Sequence, residues 1–252
     1  GVAYIFTPHG SYAAAAMQKN KWVKKIYFRV FEQYLLKNAK TVQLLGINES
    51  KNLSQMLKGI NQQLIPNGMD FQQIPNDLPT KQHTPLTFGF CGRLDIYHKG
   101  LDLLLEGFSE FLKEGNKATL HLIGDGKDRQ GLEDLAKKLN IEDQVLLHGA
   151  LFGLKKFHTL HQIDVFLHTS RMEGFPMAVL EAAALSIPCI TSEATNMNAY
   201  IRAYHAGIAL PNNTSICIGS VMGICADLYR QNELSILGKN AKEMVTTAFN
   251  WH

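Results

Sequence analysis

Ser170-Arg171-Met172-Glu173-Gly174-Phe175-Pro176-Met177-Ala178-Val179-Leu180-Glu181 joins two kinds of sequence. Upstream, Ile163 to Thr169 reads as a buried strand; downstream, Ala178 to Leu185 is helix-forming, and Pro176 suits a first helical turn. The order is strand, turn, helix, which sets Gly174 and Phe175 at a helix N-terminus. Free backbone N–H groups and the positive end of the helix dipole suit such a place to phosphate. Carboxylates do not bind phosphate, so the two bracketing glutamates need another role.

Outward from that stretch the same alternation repeats. Apolar strand candidates fall at 86–91, 118–123, 144–148, 163–168, 187–191 and 207–210, separated by helical stretches at 100–114, 127–139, 153–162, 175–186 and 194–204. Alternation of this kind builds an α/β, doubly wound parallel sheet, whose ligands sit at the carboxyl ends of the strands. Residues 214–231 and 233–248 read as two closing helices.

Before residue 86 the pattern is less regular. Val2–Phe6 reads as a buried strand followed by the loop Thr7-Pro8-His9-Gly10, with a further strand near Thr41–Leu45 and a helix near Ser50–Gly59. Leu64-Ile65-Pro66-Asn67-Gly68-Met69-Asp70 is a turn signature, and the prolines and many polar residues that follow it to Pro85 suit a linker. The expected division is a partial domain over 1–64, a linker over 65–85 and a main domain over 86–252.

The chain has 252 residues, 46% of them hydrophobic, which is ample for a buried core, and its net charge of +3 is no nucleic-acid footprint. Of 25 basic and 22 acidic residues, seven and one fall within residues 1–40. There, Trp22, Val23, Ile26, Tyr27, Val30, Phe31, Tyr34 and Leu35 recur at helical spacing, with Lys21, Lys24, Lys25 and Arg29 mostly elsewhere on the wheel. A basic amphipathic helix over 21–38 either lies on anionic lipid or packs its apolar stripe on a core. Four cysteines without C-x-x-C spacing read as reduced core residues of a cytoplasmic protein. No apolar run approaches the ~20 residues of a membrane span, so membrane contact is expected to be peripheral, at an inner membrane face.

The strand-end loops offer complementary chemistry. Arg93 and Lys99, in Gly92-Arg93-Leu94-Asp95-Ile96-Tyr97-His98-Lys99-Gly100, are two cations around one turn; they suit a diphosphate, or are ordinary surface cations. Gly124-Asp125-Gly126 is a turn that backbone or ligand can approach closely. Glu173 and Glu181 lie a span of roughly 10–12 Å apart if about seven helical rises and a turn separate them. That matches the distance between the hexose and ribose hydroxyls of a nucleotide sugar, and a carboxylate accepts paired hydrogen bonds from vicinal hydroxyls. Read singly, Glu173 is favourable charge near a helix start and Glu181 a solvated glutamate among alanines.

Pro66-Asn67-Gly68, Gly92-Arg93-Leu94 with Lys99-Gly100, Gly124-Asp125-Gly126, His148-Gly149 and Ser170 through Glu181 together resemble the retaining glycosyltransferases with two facing Rossmann-like domains, glycosyltransferase family 4 (group 1-like). The resemblance covers about residues 64–250. It implies a Rossmann-like donor domain with a partial second Rossmann-like domain, Arg93 and Lys99 on the donor diphosphate, and Glu181 on the ribose. It places Glu173 on the transferred sugar and the backbone of Gly124, Gly126, Gly174 and Phe175 along the donor. His9 becomes a catalytic candidate with Glu173. Family members carry a longer first domain, so the chain resembles a donor-binding half with a remnant of the acceptor half, and Phe249-Asn250-Trp251-His252 resembles the start of the family's last helix.

The implied activity is transfer of a hexose, with retention, from a nucleotide diphosphate sugar to a glycan or lipid-linked acceptor, in polysaccharide biosynthesis. The sequence has no D-x-D pair, the usual carboxylate site for a divalent ion on such a donor, so neither metal nor other cofactor is expected. Two other readings share the architecture: a nucleotide-sugar-binding module inactive without the other half, and a nucleotide-sugar epimerase.

Overall fold

The structure, a computed structural model, describes residues 2–12, 17, 21–75, 77–81 and 85–250. Lys19, the Lys21 side chain, parts of the 65–85 stretch and Trp251-His252 lie outside the described residues. The chain forms two compact units, Gly1–Asn67 with Met172–Phe175, and Gly68–Arg171 with Pro176–His252.

The first unit holds a parallel sheet of β1 (Ile5–Phe6), β2 (Thr41–Leu44) and β3 (Gln62–Leu64), in that order. The strand expected over 2–6 shortens to two residues, and Val2 and Ile5 are exposed rather than buried. At the sheet edge β1 has only β2 to pair with, so little holds a longer strand in register. Helix α1 (Lys21–Tyr27) runs through a π-helical turn (Phe28–Glu32) into α2 (Gln33–Asn38). Phe28 and Leu36 face inward against Tyr12, Val42, Leu44 and Leu53. Trp22, Val23, Ile26, Tyr27, Val30, Phe31, Tyr34 and Leu35 are all exposed. Packing on a core, one of the two readings of this stripe, is therefore not what the described residues adopt. Helix α3 (Ile47–Met56) starts three residues before the expected position, because Gly46 in extended conformation begins it and Glu49 falls in its first turn.

The second unit is a six-stranded, all-parallel sheet of β4 (Leu86–Cys91), β5 (Ala118–Ile123), β6 (Val145–Gly149), β7 (Val165–His168), β8 (Cys189–Thr191) and β9 (Gly207–Ala209). Between them run α4 (Ile96–Lys99), α5 (Leu101–Lys113), α6 (Arg129–Lys138), α7 (Gly153–His161), α8 (Met177–Ala184) and α9 (Asn198–Tyr204), with α10 (Ser215–Arg230) and α11 (Leu234–Ala248) closing the chain. Leu86, Phe88 and Phe90 alternate onto one face of β4, where they join Leu104, Phe108 and Phe111 of α5, Leu132 of α6 and Met222 of α10 in one buried cluster. Helices α8 and α9 pack against α11 instead.

The strand order β6-β5-β4-β7-β8-β9 decides where a ligand goes. Successive strands add outward from β4 on one side, then the chain returns to β7 on the other. Between β4 and β7 the helices that follow the two strands diverge, leaving a crevice beyond their carboxyl ends. The segments leaving those two strands are Gly92–Lys99 and Thr169–Phe175. Both belong to the stretches that stood out in the sequence.

Candidate functional site

Cys91 ends β4, and the chain turns at once into the arginine loop. Gly92 N–H donates to Ile123 O at 2.9 Å and Leu94 N–H to Asp125 O at 3.0 Å, so the loop lies along the Gly124-Asp125-Gly126 turn. A Cβ on Gly124 would fall 1.8 Å from Gly92 O, and one on Gly126 would fall 2.3 Å from Leu94 O. Their smallness admits the neighbouring loop's backbone. Asp95, 5% exposed, accepts from His98 N–H at 2.9 Å and contacts His98 Nδ1 at 2.8 Å. Burial works to raise the Asp95 pKa, but the His98 contacts outweigh it and hold the carboxyl below its ordinary value. Asp128 accepts from Ile96 N–H at 2.9 Å and braces the same turn.

On this brace Arg93 stands exposed, its Nη2 3.9 Å from Asp95 Oδ2, a distance at which the guanidinium fork keeps most of its donors for a ligand. Lys99 ends α4, half-buried. Thr169 Oγ1 donates to Lys99 O at 3.3 Å and Gly100 O at 3.2 Å, tying this end of α4 to the end of β7. Arg171 adds a second tie. Its guanidinium is bidentate on Asp102, at 2.7 and 2.8 Å, and lies over the Tyr97 ring at 5.2 Å, while its backbone N–H donates to His98 O at 2.9 Å. The paired hydrogen bonds with Asp102 raise the Arg171 pKa, so the tie holds throughout the physiological range.

Glu181 lies on α8, in contact with α7. Lys156 Nζ donates to its Oε1 at 2.7 Å, and the two side chains are only 21% and 18% exposed. It is therefore a paired carboxylate, not one solvated among alanines. The buried Cys91 thiol senses the pair; burial first, then the Glu181 charge, push it up to about 11. Helix α8 begins at Met177 with Pro176 as its extended N-cap residue, one position before the helical turn expected for it. Gly174 and Phe175 accordingly precede the helix and group with the first unit.

Within the first unit, His9 is exposed in the turn Pro8–Ser11, at φ 50°. Gly10 backs directly onto Gly174: a Cβ on Gly10 would lie 2.7 Å from Gly174 Cα. The turn carrying His9 thus abuts the loop carrying Glu173, and the two catalytic candidates come from touching segments. Glu49, 2% exposed, accepts from the N–H groups of Tyr12 and Leu45, both at 3.4 Å, and from Gly10 N–H. Burial raises its pKa against the opposing pull of those hydrogen bonds. Sequence reading passed over Glu49, Lys156, Asp95 and Arg171; a glutamate three residues past Gly46 at a helix start was the one available signal, and it pointed to Glu49. Among the described residues, no three His, Cys, Asp or Glu side chains gather as ligands of one metal ion would.

The sequence model of the family described as glycosyl transferases group 1 matches residues 72–218. A human relative, the catalogued first subunit of phosphatidylinositol N-acetylglucosaminyltransferase, is 29% identical over 194 residues, covering 75% of this chain and 38% of that protein. The Escherichia coli UDP-Gal:alpha-D-GlcNAc-diphosphoundecaprenol alpha-1,3-galactosyltransferase is 25% identical over 263 residues, covering 98% of this chain and 65% of that one. The chain spans less than two thirds of the length of either relative. Among solved structures, sucrose-phosphate synthase from Thermosynechococcus elongatus superposes with a TM-score of 0.83 at 20% identity, over all of this chain and 65% of that one, a likeness of fold. With a family match across more than half its length, over the sheet that carries the arginine loop and the Glu173–Glu181 stretch, this chain belongs to the glycosyl transferases group 1 family.

Proposed function

We propose that the chain is the donor-binding part of a retaining, metal-independent glycosyltransferase that moves a hexose from a nucleotide diphosphate sugar to a glycan or lipid-linked acceptor. The observation that carries this reading is the loop at the β4/β7 switch point, where Arg93 stands exposed on a turn braced by Asp95 and Asp128. A diphosphate is the ligand for which a pre-set fork of donors at that position fits. Arg93 and Lys99 neutralise the leaving diphosphate as its charge grows, the role a divalent ion would otherwise take. Glu181 receives the ribose hydroxyls, and Glu173 the hydroxyls of the transferred sugar. His9, on the turn that abuts Gly174, serves the reacting centre beside Glu173. Transfer then proceeds on one face of the sugar, the leaving phosphate accepting the acceptor's proton.

The names of the human and Escherichia coli relatives carry lipid acceptors, a phosphatidylinositol and a diphosphoundecaprenol. A lipid-linked acceptor also suits α1–α2, which presents Trp22, Ile26, Val30, Phe31 and Tyr34 outward beside exposed Lys25, Arg29 and Lys37. No described helix is long and apolar enough to cross a membrane. Contact at the surface of an anionic, cytoplasmic leaflet is the corresponding mode.

The full-length protein, given UDP-, GDP- and ADP-hexoses with diphosphoundecaprenol-linked sugar as acceptor, tests this by nuclear magnetic resonance of the product. Expected are acceptor-dependent release of the nucleoside diphosphate, an anomeric configuration kept from donor to product, and turnover unchanged by EDTA. Donor isomerisation without acceptor would identify an epimerase; inversion would refute retention, and loss of turnover with EDTA would refute metal independence.

A further inference from the structure

We propose that Lys156 is a positioning residue for Glu181, holding one carboxylate oxygen so that the other stands ready for the vicinal hydroxyls of a bound ribose. The proposal rests on the donor reading of Glu181. Lys156 reaches Glu181 from α7, the helix before β7, whereas Glu181 is on α8, the helix after it. The contact, 2.7 Å from Nζ to Oε1, joins two side chains about four-fifths buried, and the ammonium also lies 4.9 Å from the Phe157 ring centre. An ammonium with its stem packed along the protein and its head on one oxygen is a fixed point, not a mobile surface charge. A carboxylate has about four acceptor positions, and one lysine uses one of them.

Two consequences favour nucleotide binding. A lone half-buried carboxylate would lose rotamer freedom when it meets a ribose; one already held by Lys156 has less to lose. A lone carboxylate would also repel the diphosphate of the same ligand, and the Lys156–Glu181 pair is neutral. The rival possibility is competition, in which the ribose must displace Lys156 to reach Glu181. The two differ in sign.

Isothermal titration with UDP, GDP and ADP identifies a nucleotide that binds the chain, and its 2′,3′-dideoxy form serves as the comparison ligand. Glu181→Ala, Lys156→Met, Lys156→Gln and Lys156→Arg are measured beside the parent, with melting curves to check folding. On general hydrogen-bond strengths the parent is expected to prefer the ribonucleotide by about tenfold. Lys156→Met and Lys156→Gln should each remove most of that preference while leaving dideoxynucleotide affinity within about twofold, and Lys156→Arg should restore it. A merely structural lysine would weaken both nucleotides equally. Lys156→Met or Lys156→Gln variants that keep the preference, bind the ribonucleotide more tightly or weaken both alike would overturn the proposal. If no nucleotide binds, or Glu181→Ala keeps the preference, the donor reading of Glu181 fails and the role of Lys156 with it.

Discussion

His121 on β5 and His148 on β6 show how a single side-chain contact reaches a measurable property. Their rings lie 4.8 Å apart, and His121 Nδ1 and His148 Nε2 are buried without a hydrogen-bond partner. Burial, then the neighbouring His148, pull His121 down to about 4, and burial lowers His148 as well. In the unfolded chain both return to an ordinary value near ~6.5. Between those limits the unfolded state binds more protons, so the stabilisation is complete above about pH 6.5 and is lost as pH falls toward 4. Urea midpoints are expected to fall steadily from pH 7.5 to pH 4.5. His121→Phe, which keeps an aromatic ring on β5 but cannot titrate, should flatten that slope; an unchanged slope would contradict the assignment. The same scale explains why the pairing of Glu181 was not legible in the sequence: its partner is 25 residues away, on another helix, and no spacing rule relates the two.

Elements determine which of these side chains can meet a ligand. The β4 loop, the Gly124–Gly126 turn and α4 are interlocked by backbone hydrogen bonds, Asp95, Asp128 and the Arg171–Asp102 pair. A site built on such a brace needs little rearrangement when its ligand arrives. By contrast α1–α2 is held from one side only, by Phe28 and Leu36, and leaves its wider apolar stripe exposed. Apolar spacing alone left lipid contact and core packing open, because both use one amphipathic stripe; exposure separates them. The chain is expected to sediment with phosphatidylcholine vesicles containing a quarter phosphatidylglycerol, and far less with pure phosphatidylcholine. Trp22→Ser with Phe31→Ser should lower that binding by about tenfold or more, since each large side chain contributes roughly 1.5–3 kcal/mol on burial. Equal binding to both vesicles, or none, would exclude an anionic lipid surface as its partner.

At the scale of the molecule, alternation of apolar and helical stretches made six parallel strands and their helices legible, with boundaries displaced by a few residues at most. Glycine, cation and carboxylate types at the strand ends were legible too, since each sits where a chain leaves a strand. What stayed hidden was the network between loops, exemplified by Arg171 and Asp102, 69 residues apart, which only the crossover from β6 back to β7 brings together. Glu49 was hidden for a related reason: its role depends on a turn 37 residues earlier.

The central claim, that the loops at the β4/β7 switch point hold a nucleoside diphosphate, is tested most directly by thermal unfolding of the chain with and without UDP, GDP and ADP. At least one of the three is expected to raise the melting temperature, by several degrees at about a hundredfold excess over Kd, and Arg93→Ala and Glu181→Ala should each reduce that rise. No stabilisation of the parent chain by any of the three, or a rise undiminished by both substitutions, would contradict it.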